Sequence, residues 1–180
     1  LGTQVNQSCG TSTCALTIGG GTAAGKNLFH RFQSFDTRSN GNAPPISGAT
    51  FQNSGFSSVI VGVLSPTFIG VPISLQSTAN LLWLSPAGLT IGAAGGFSNV
   101  SQLTLSTATG LRFSGSDQLF DAVQTTAAQA ATLTGTPVQG RAGLVTDPAS
   151  LSLLQQQTNG DIVLDGGLLT VDNSLLIDAR

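Results

Sequence analysis

Between Asp161 and Asp178 the chain carries three apolar runs, Ile162–Leu164, Leu168–Val171 and Leu175–Ile177, split by Asp165-Gly166-Gly167 and by Asp172-Asn173-Ser174. Each run is too short for a helix, and each break is turn chemistry. An antiparallel meander would want longer strands. Three short strands joined by brief corners instead fit the three sides of one turn of a parallel β-helix, in which each coil stacks on the next and its inward residues extend one core.

The middle of the chain has the same texture. Val59–Leu64 precedes Ser65-Pro66, Val71–Leu75 follows Gly70, and Asn80–Leu84 precedes Ser85-Pro86-Ala87-Gly88. Leu89–Ile91, Gln102–Leu105 and Leu111–Phe113 complete the series. These read as short strands with Pro and Gly at the corners. Val59–Val63 and Leu81–Leu84 are almost continuously apolar, as strands buried on both faces are. Charged residues make up 8% of the chain and hydrophobic ones 40%, which argues against disorder and, with so much Gly, Ser, Thr and Asn, against long helices. Residues 116–133 break the pattern. Leu119, Phe120, Val123, Ala127, Ala130 and Ala131 lie near helical spacing, with Ser116 or Asp117 as N-cap, and the stretch fits a short helix or an extended surface loop. The expectation is one domain, with a capping region over about 1–47 and coils over about 48–180, because an open coil end exposes strand edges and apolar core.

Several functions are excluded or disfavoured. The net charge is −2 and the six basic residues are scattered from Lys26 to Arg180, which is no footprint for nucleic acid. No run approaches about 18 apolar residues, so no membrane-spanning helix is expected. Gly20–Asn27 nearly matches a phosphate loop, but Asn27 stands where Ser or Thr would hold Mg²⁺, and a glycine-rich turn is the simpler reading. His30 is the only histidine, no Ser stands out as its nucleophile, and the eight acidic residues are all Asp, four of them at turn edges (Asp161, Asp165, Asp172 and Asp178). No catalytic residue, cofactor or metal site is therefore expected. Cys9 and Cys14 suit a local disulfide in an oxidising compartment, or two thiols. Asn6-Gln7-Ser8 and Asn99-Val100-Ser101 are glycosylation sequons, a pattern common by chance. The chain begins at Leu1 and contains no Met, as expected of a processed form or an excised piece.

Two segments carry a resemblance. The first is Gly20-Gly21-Thr22-Ala23-Ala24-Gly25-Lys26-Asn27-Leu28-Phe29-His30-Arg31-Phe32-Gln33-Ser34-Phe35-Asp36, and the second is Ala79-Asn80-Leu81-Leu82-Trp83-Leu84-Ser85-Pro86-Ala87-Gly88-Leu89-Thr90-Ile91-Gly92. In that order they resemble the filamentous-haemagglutinin-type secretion domain of two-partner secretion, whose pattern runs G-G-T-x-x-G-x-N-L-F-H-S-F-x-x-F and then N-L-F-L-I-N-P-N-G-I-x-F-G. Ser106–Phe113 resembles the segment that follows, and the likeness covers about residues 16–140. The secretion-motif residues are then Asn27, Leu28, Phe29, His30, Phe32, Phe35, Asn80, Leu81, Ser85, Pro86, Ala87 and Gly88. Pro86 and Gly88 keep the turn of the family pattern, and Ser85 can bond locally to backbone as Asn would, whereas Ala87 lacks the second amide.

The resemblance implies an all-β fold, a right-handed parallel β-helix with an N-terminal cap and extra-helical strands. It implies a monomeric, non-enzymatic export module of a larger Gram-negative exoprotein. Such a chain crosses the periplasm, is recognised by the POTRA domains of a dedicated outer-membrane β-barrel transporter, and folds at the cell surface or is released. Two other readings stand beside it. The polar, Asn- and Gln-rich surface suits an adhesive module for a glycan or matrix ligand. A β-helical carbohydrate-active enzyme would require an acidic cluster in a groove.

Overall fold

The computed structural model describes residues 1–180 apart from 40, 42, 116, 167, 168, 170 and 172. In chain order the strands are β1 (Thr3–Cys9), β2 (Cys14–Gly20), β3 (Thr22–Ala24), β4 (Asn27–Phe32), β5 (Ile46–Phe51), β6 (Ser58–Val63), β7 (Thr67–Ile69), β8 (Pro72–Leu84), β9 (Leu89–Ile91) and β10 (Gly96–Ser106). Then follow β11 (Gly110–Arg112), β12 (Leu119–Asp121), helix α1 (Ala127–Ala130), β13 (Leu144–Val145), helix α2 (Pro148–Leu153), β14 (Ile162–Leu164) and β15 (Ser174–Asp178). Strand makes up 49% of the described residues and helix 8%, so the fold is all-β.

The largest sheet is mixed and nearly closed. Hairpins β1–β2 and β3–β4 are antiparallel, and the other pairings in this sheet are parallel. Its two ends approach where the Gly21 amide donates to the Gly2 carbonyl and the Arg31 amide to Thr3 Oγ1. The parallel pairings form three in-register ladders. One runs β4, β6, the second half of β8, the second half of β10, then β15. Another runs β2, β5, the first half of β8, then the first half of β10. The third runs β7, β9, β14. β8 and β10 each serve two ladders, so each must turn a corner; β10 does so at Asn99, whose φ of 58° lies in the left-handed region, beside a register shift.

From β4 to β10 the first ladder is buried on both faces, which explains the almost unbroken apolar runs of β6 and the second half of β8. Rows Leu28–Val59–Leu81–Leu103 and His30–Val61–Trp83–Leu105 point to one side. There the main core lies, with Phe32, Phe51, Ile73 and Phe97. Row Phe29–Ile60–Leu82 points to the other side, into a second core closed by Phe113, Phe120, Leu133 and Leu144 of an outer layer. Gly62 belongs to this outer face because a Cβ there would lie 2.9 Å from Ala122 Cβ.

The outer layer departs from the sequence expectations. Within residues 117–133 lie strand β12 and then only the single turn α1, where Thr126 accepts from the Gln129 amide and Gln129 reaches back to the Thr126 amide. Asp117 is therefore not the helix cap, and Ser116 lies outside the described residues. The series read as ending in a strand at Leu111–Phe113 does contain β11, but it pairs antiparallel with β12 and β13 and leaves the ladders. Val71–Leu75 and Asn80–Leu84 are one bent strand, β8, because Gln76–Thr78 stay extended between them. Helix α2 was not expected. Its signal, Asp147 as N-cap before Pro148, is present in the sequence. Of the three terminal runs, Ile162–Leu164 and Leu175–Ile177 are strands, and the middle run falls partly outside the described residues.

Candidate functional site

The first motif is β4, and its alternation decides what each residue does. Leu28, His30 and Phe32 face the main core, and Asn27, Phe29 and Arg31 face the outer layer. Asn27 is 2% exposed, and its Nδ2 donates to the carbonyls of Leu133 and Gly135, both at 2.7 Å. Phe29 meets Phe113 and Phe120 at ring distances of 5.8 and 5.1 Å. Arg31, which the motif reading did not single out, donates from Nε to the Ala122 carbonyl (2.7 Å) and from Nη2 to that of Asp121 (3.0 Å). Its place in the same alternation as Asn27 and Phe29 was the available signal. Three outward side chains of one strand thus hold the outer layer against the sheet at Phe113, at Phe120–Ala122 and at Leu133 and Gly135.

On the inner side, His30 is fully buried beside Phe51 and Phe32. Its Nδ1 lies 3.3 Å from Thr3 Oγ1, and its Nε2 has no partner. Desolvation, with the N-terminal ammonium adding to it, pushes the imidazole from 6.5 down to about 4, so it is neutral near pH 7. Asp36 is exposed and bonded to Arg38, whose hydrogen bonds hold the carboxylate below its usual range. Phe35 stands edge-on to Trp83 at 5.0 Å. Phe32 and Phe35 also line an open, mostly apolar cleft of about 130 Å³ with Val5, Leu16, Ser34, Asp36 and Thr37.

The second motif meets the first through the ladder. Asn27 pairs with Ser58 and Ser58 with Asn80; Leu28 pairs with Val59 and Val59 with Leu81. The two Asn-Leu pairs therefore occupy equivalent places two rungs apart. Ser85–Gly88 follows as a tight turn. The Gly88 amide donates to the Ser85 carbonyl (2.9 Å), and Ser85 Oγ, fully buried, bonds Thr67 Oγ1 and the Gly88 carbonyl, each at 2.7 Å. Gly88 sits at φ 109°. Residues 159–161 cover the turn: the Gly160 amide donates to the Pro86 carbonyl (2.7 Å), and a side chain at Gly160 would collide with Ala87.

The other flagged residues resolve simply. Gly20, Gly21 and Gly25 take positive φ around the short strand β3, so Gly20–Asn27 is a pair of turns and not a phosphate cradle. Cys9 and Cys14 are joined in a disulfide across the tip of the β1–β2 hairpin. Asn6 and Asn99 of the sequons are both exposed. A buried polar knot went unread in the sequence: Asp121 Oδ1 accepts the amides of Val123 and Gln124, and its Oδ2 accepts Ser150 Oγ (2.6 Å), tying α2 to β12. Among the described residues no three His, Cys, Asp or Glu side chains gather to hold a metal ion, and no helix is long and apolar enough to cross a membrane. No protein-family model, curated protein or solved structure matches this chain.

Proposed function

We propose that this chain is a right-handed parallel β-helix with an N-terminal cap and an extra-helical layer, and that it serves as the secretion-recognition module of a two-partner system. The observation that carries the reading is the meeting of the two motifs. Two segments whose equivalent residues, Asn27 and Asn80, lie 53 positions apart, each resembling the family pattern, occupy equivalent rungs of one parallel ladder and supply contacts that fasten the outer layer. Three parallel ladders, two of them joined through β8 and β10, suit a coil of three sides. The β1–β2 hairpin, which pairs in parallel with β5 through β2 alone, suits a cap.

Burial refines what recognition would mean. Asn27, Leu28, Phe29, His30, Ser85 and Gly88 are all buried in the folded chain, so a partner that reads them reads them before folding. An extended chain offers its backbone to a sheet edge of the transporter's periplasmic POTRA domains. Folding then follows export, coil upon coil. The last coil is suited to templating. Leu175 and Ile177 continue the inward rows of Leu103 and Leu105, each is 40% exposed, and β15 carries no Pro or Lys to guard its edge.

The test separates export from folding. Asn27→Ala and Phe35→Ala are compared with Leu103→Ala, a core change outside both motifs, in cells carrying a two-partner transporter. The reading expects the motif variants to stay in the periplasm and to lose binding of the urea-unfolded chain to isolated POTRA domains, while unfolded Leu103→Ala still binds. Equal behaviour of all three would sink it.

A further inference from the structure

The outer face of the second ladder and of the β1–β2 hairpin carries none of the secretion-motif residues. Strands β1, β2, β5 and the first halves of β8 and β10 lie side by side, with Ile18, Ala49, Phe51, Ile73, Leu75 and Phe97 turned into the core. The alternate residues face outward. One row across the five strands is Asn6–Thr17–Thr50–Ser74–Ser98, set by the register of every pairing. Thr50 Oγ1 and Ser74 Oγ bond each other at 2.9 Å, which fixes both hydroxyls on the surface of the sheet. A second outward row, Ala15–Gly48 and Pro72–Gly96, is built of small or flat residues. Gln4 and Gln52 pack over Gly20 and Gly19 on the far side of the hydroxyl row.

Two properties of this face point to a ligand class. It bears no formal charge, since neither residues 1–25 nor residues 39–111 contain any Asp, Glu, Lys, Arg or His. That disfavours anionic ligands, which need Arg or Lys. It is also repetitive. Parallel strands in register place a hydroxyl or amide about every 4.8 Å across the sheet. The aromatic rings of these strands, Phe51 and Phe97, point inward, so no ring stands out to stack on a single sugar. Recognition would rest on many weak hydrogen bonds repeated along a polymer, where avidity compensates for low affinity per unit.

We infer that this hydroxyl and amide face is a binding surface for an extended, uncharged polysaccharide. The experiment mixes the 180-residue protein with suspended cellulose, curdlan and mannan and measures the protein left in solution after sedimentation. Retention on at least one of them, unchanged at high salt, is expected. Thr50→Lys with Ser74→Lys should weaken retention about tenfold, the equivalent of one or two lost hydrogen bonds, with an unaltered circular dichroism spectrum. Because Thr50 and Ser74 are half-buried, Ser98→Lys at the exposed end of the row serves as a second variant that leaves the packing alone, and it should weaken retention in the same direction. Absence of retention on all three glycans, retention abolished by salt, or wild-type retention by both variants would each overturn the inference. So would growth arrest of ice crystals without glycan retention, which would assign the face to a water lattice.

Discussion

Asn27 and Leu133 stand 106 positions apart in the sequence and 2.7 Å apart in space, joined by a hydrogen bond from the Asn27 amide to the Leu133 carbonyl. The same nitrogen serves Gly135, so one side chain satisfies two backbone acceptors that the excursion leaves without strand partners. Asn27→Ala leaves both unpaired, and an unsatisfied buried acceptor costs about 1–3 kcal/mol. Asn27→Asp replaces the donor with a carboxylate facing two carbonyls and should cost more. Both variants should lower the urea midpoint, and limited proteolysis should open the chain first between 114 and 140.

His30 makes stability depend on pH. Its pKa falls from 6.5 to about 4 on folding, chiefly because burial removes the charged form from water. The unfolded chain therefore binds the proton more readily, and stability falls as pH drops from 6.5 towards 4. The full difference corresponds to about 3 kcal/mol. His30→Phe, which keeps an aromatic ring among Phe32 and Phe51, should flatten that dependence while leaving stability near pH 7 close to that of the parent. Urea titrations at a series of pH values between 4 and 7.5 measure it; an unchanged slope in the variant would place the dependence elsewhere.

Strands were legible where the pattern was simple. Val59–Leu64 and Leu89–Ile91 read as strands because they are short, β-branched or leucine-rich, and closed by Pro or Gly, and β6 and β9 lie there. What the pattern withheld was pairing. Ser58, Asn80 and Gln102 align on successive rungs, 22 residues apart each time, yet the segments around them share almost no residues, so the period was invisible as similarity. Alternation cannot say whether Val59–Val63 is buried on both faces by one layer or two; that depends on Phe113 and Phe120, contributed from about 50 residues further on. The motif residues share one ladder and the turn that follows it, and their geometry gives them packing and fastening contacts, which residue type alone does not reveal. Arg31 and the Asp121–Ser150 bond were missed because each depends on a long-range carbonyl or hydroxyl that no spacing encodes.

The turn at Ser85–Gly88 should behave as one unit. Gly88→Ala forces a Cβ into a positive-φ position and toward the Asp161 carbonyl 3.2 Å away, at a cost of about 1–3 kcal/mol. Ser85→Ala removes the hydroxyl shared by Thr67 and the Gly88 carbonyl, for a loss of similar size. Because both act on the same few atoms, the double variant should lose less than the sum of the two, as equilibrium unfolding by urea would measure.

The disulfide closes the β1–β2 hairpin. Cys9 and Cys14 face each other directly in the β1–β2 register, with Cys14 buried and Cys9 exposed. A loop this short removes little chain entropy, so the bond contributes about 2 kcal/mol. The effect should also be local, since among the described residues β1 has β2 as its one strand partner and touches β4 through Thr3. Replacing both cysteines by Ser should raise amide exchange in Thr3–Cys9 and Cys14–Gly20 while leaving the amides of β6 and the second half of β8 as protected as before. If those central amides lost protection to the same extent, the hairpin would be part of the cooperative core and not a cap that opens on its own.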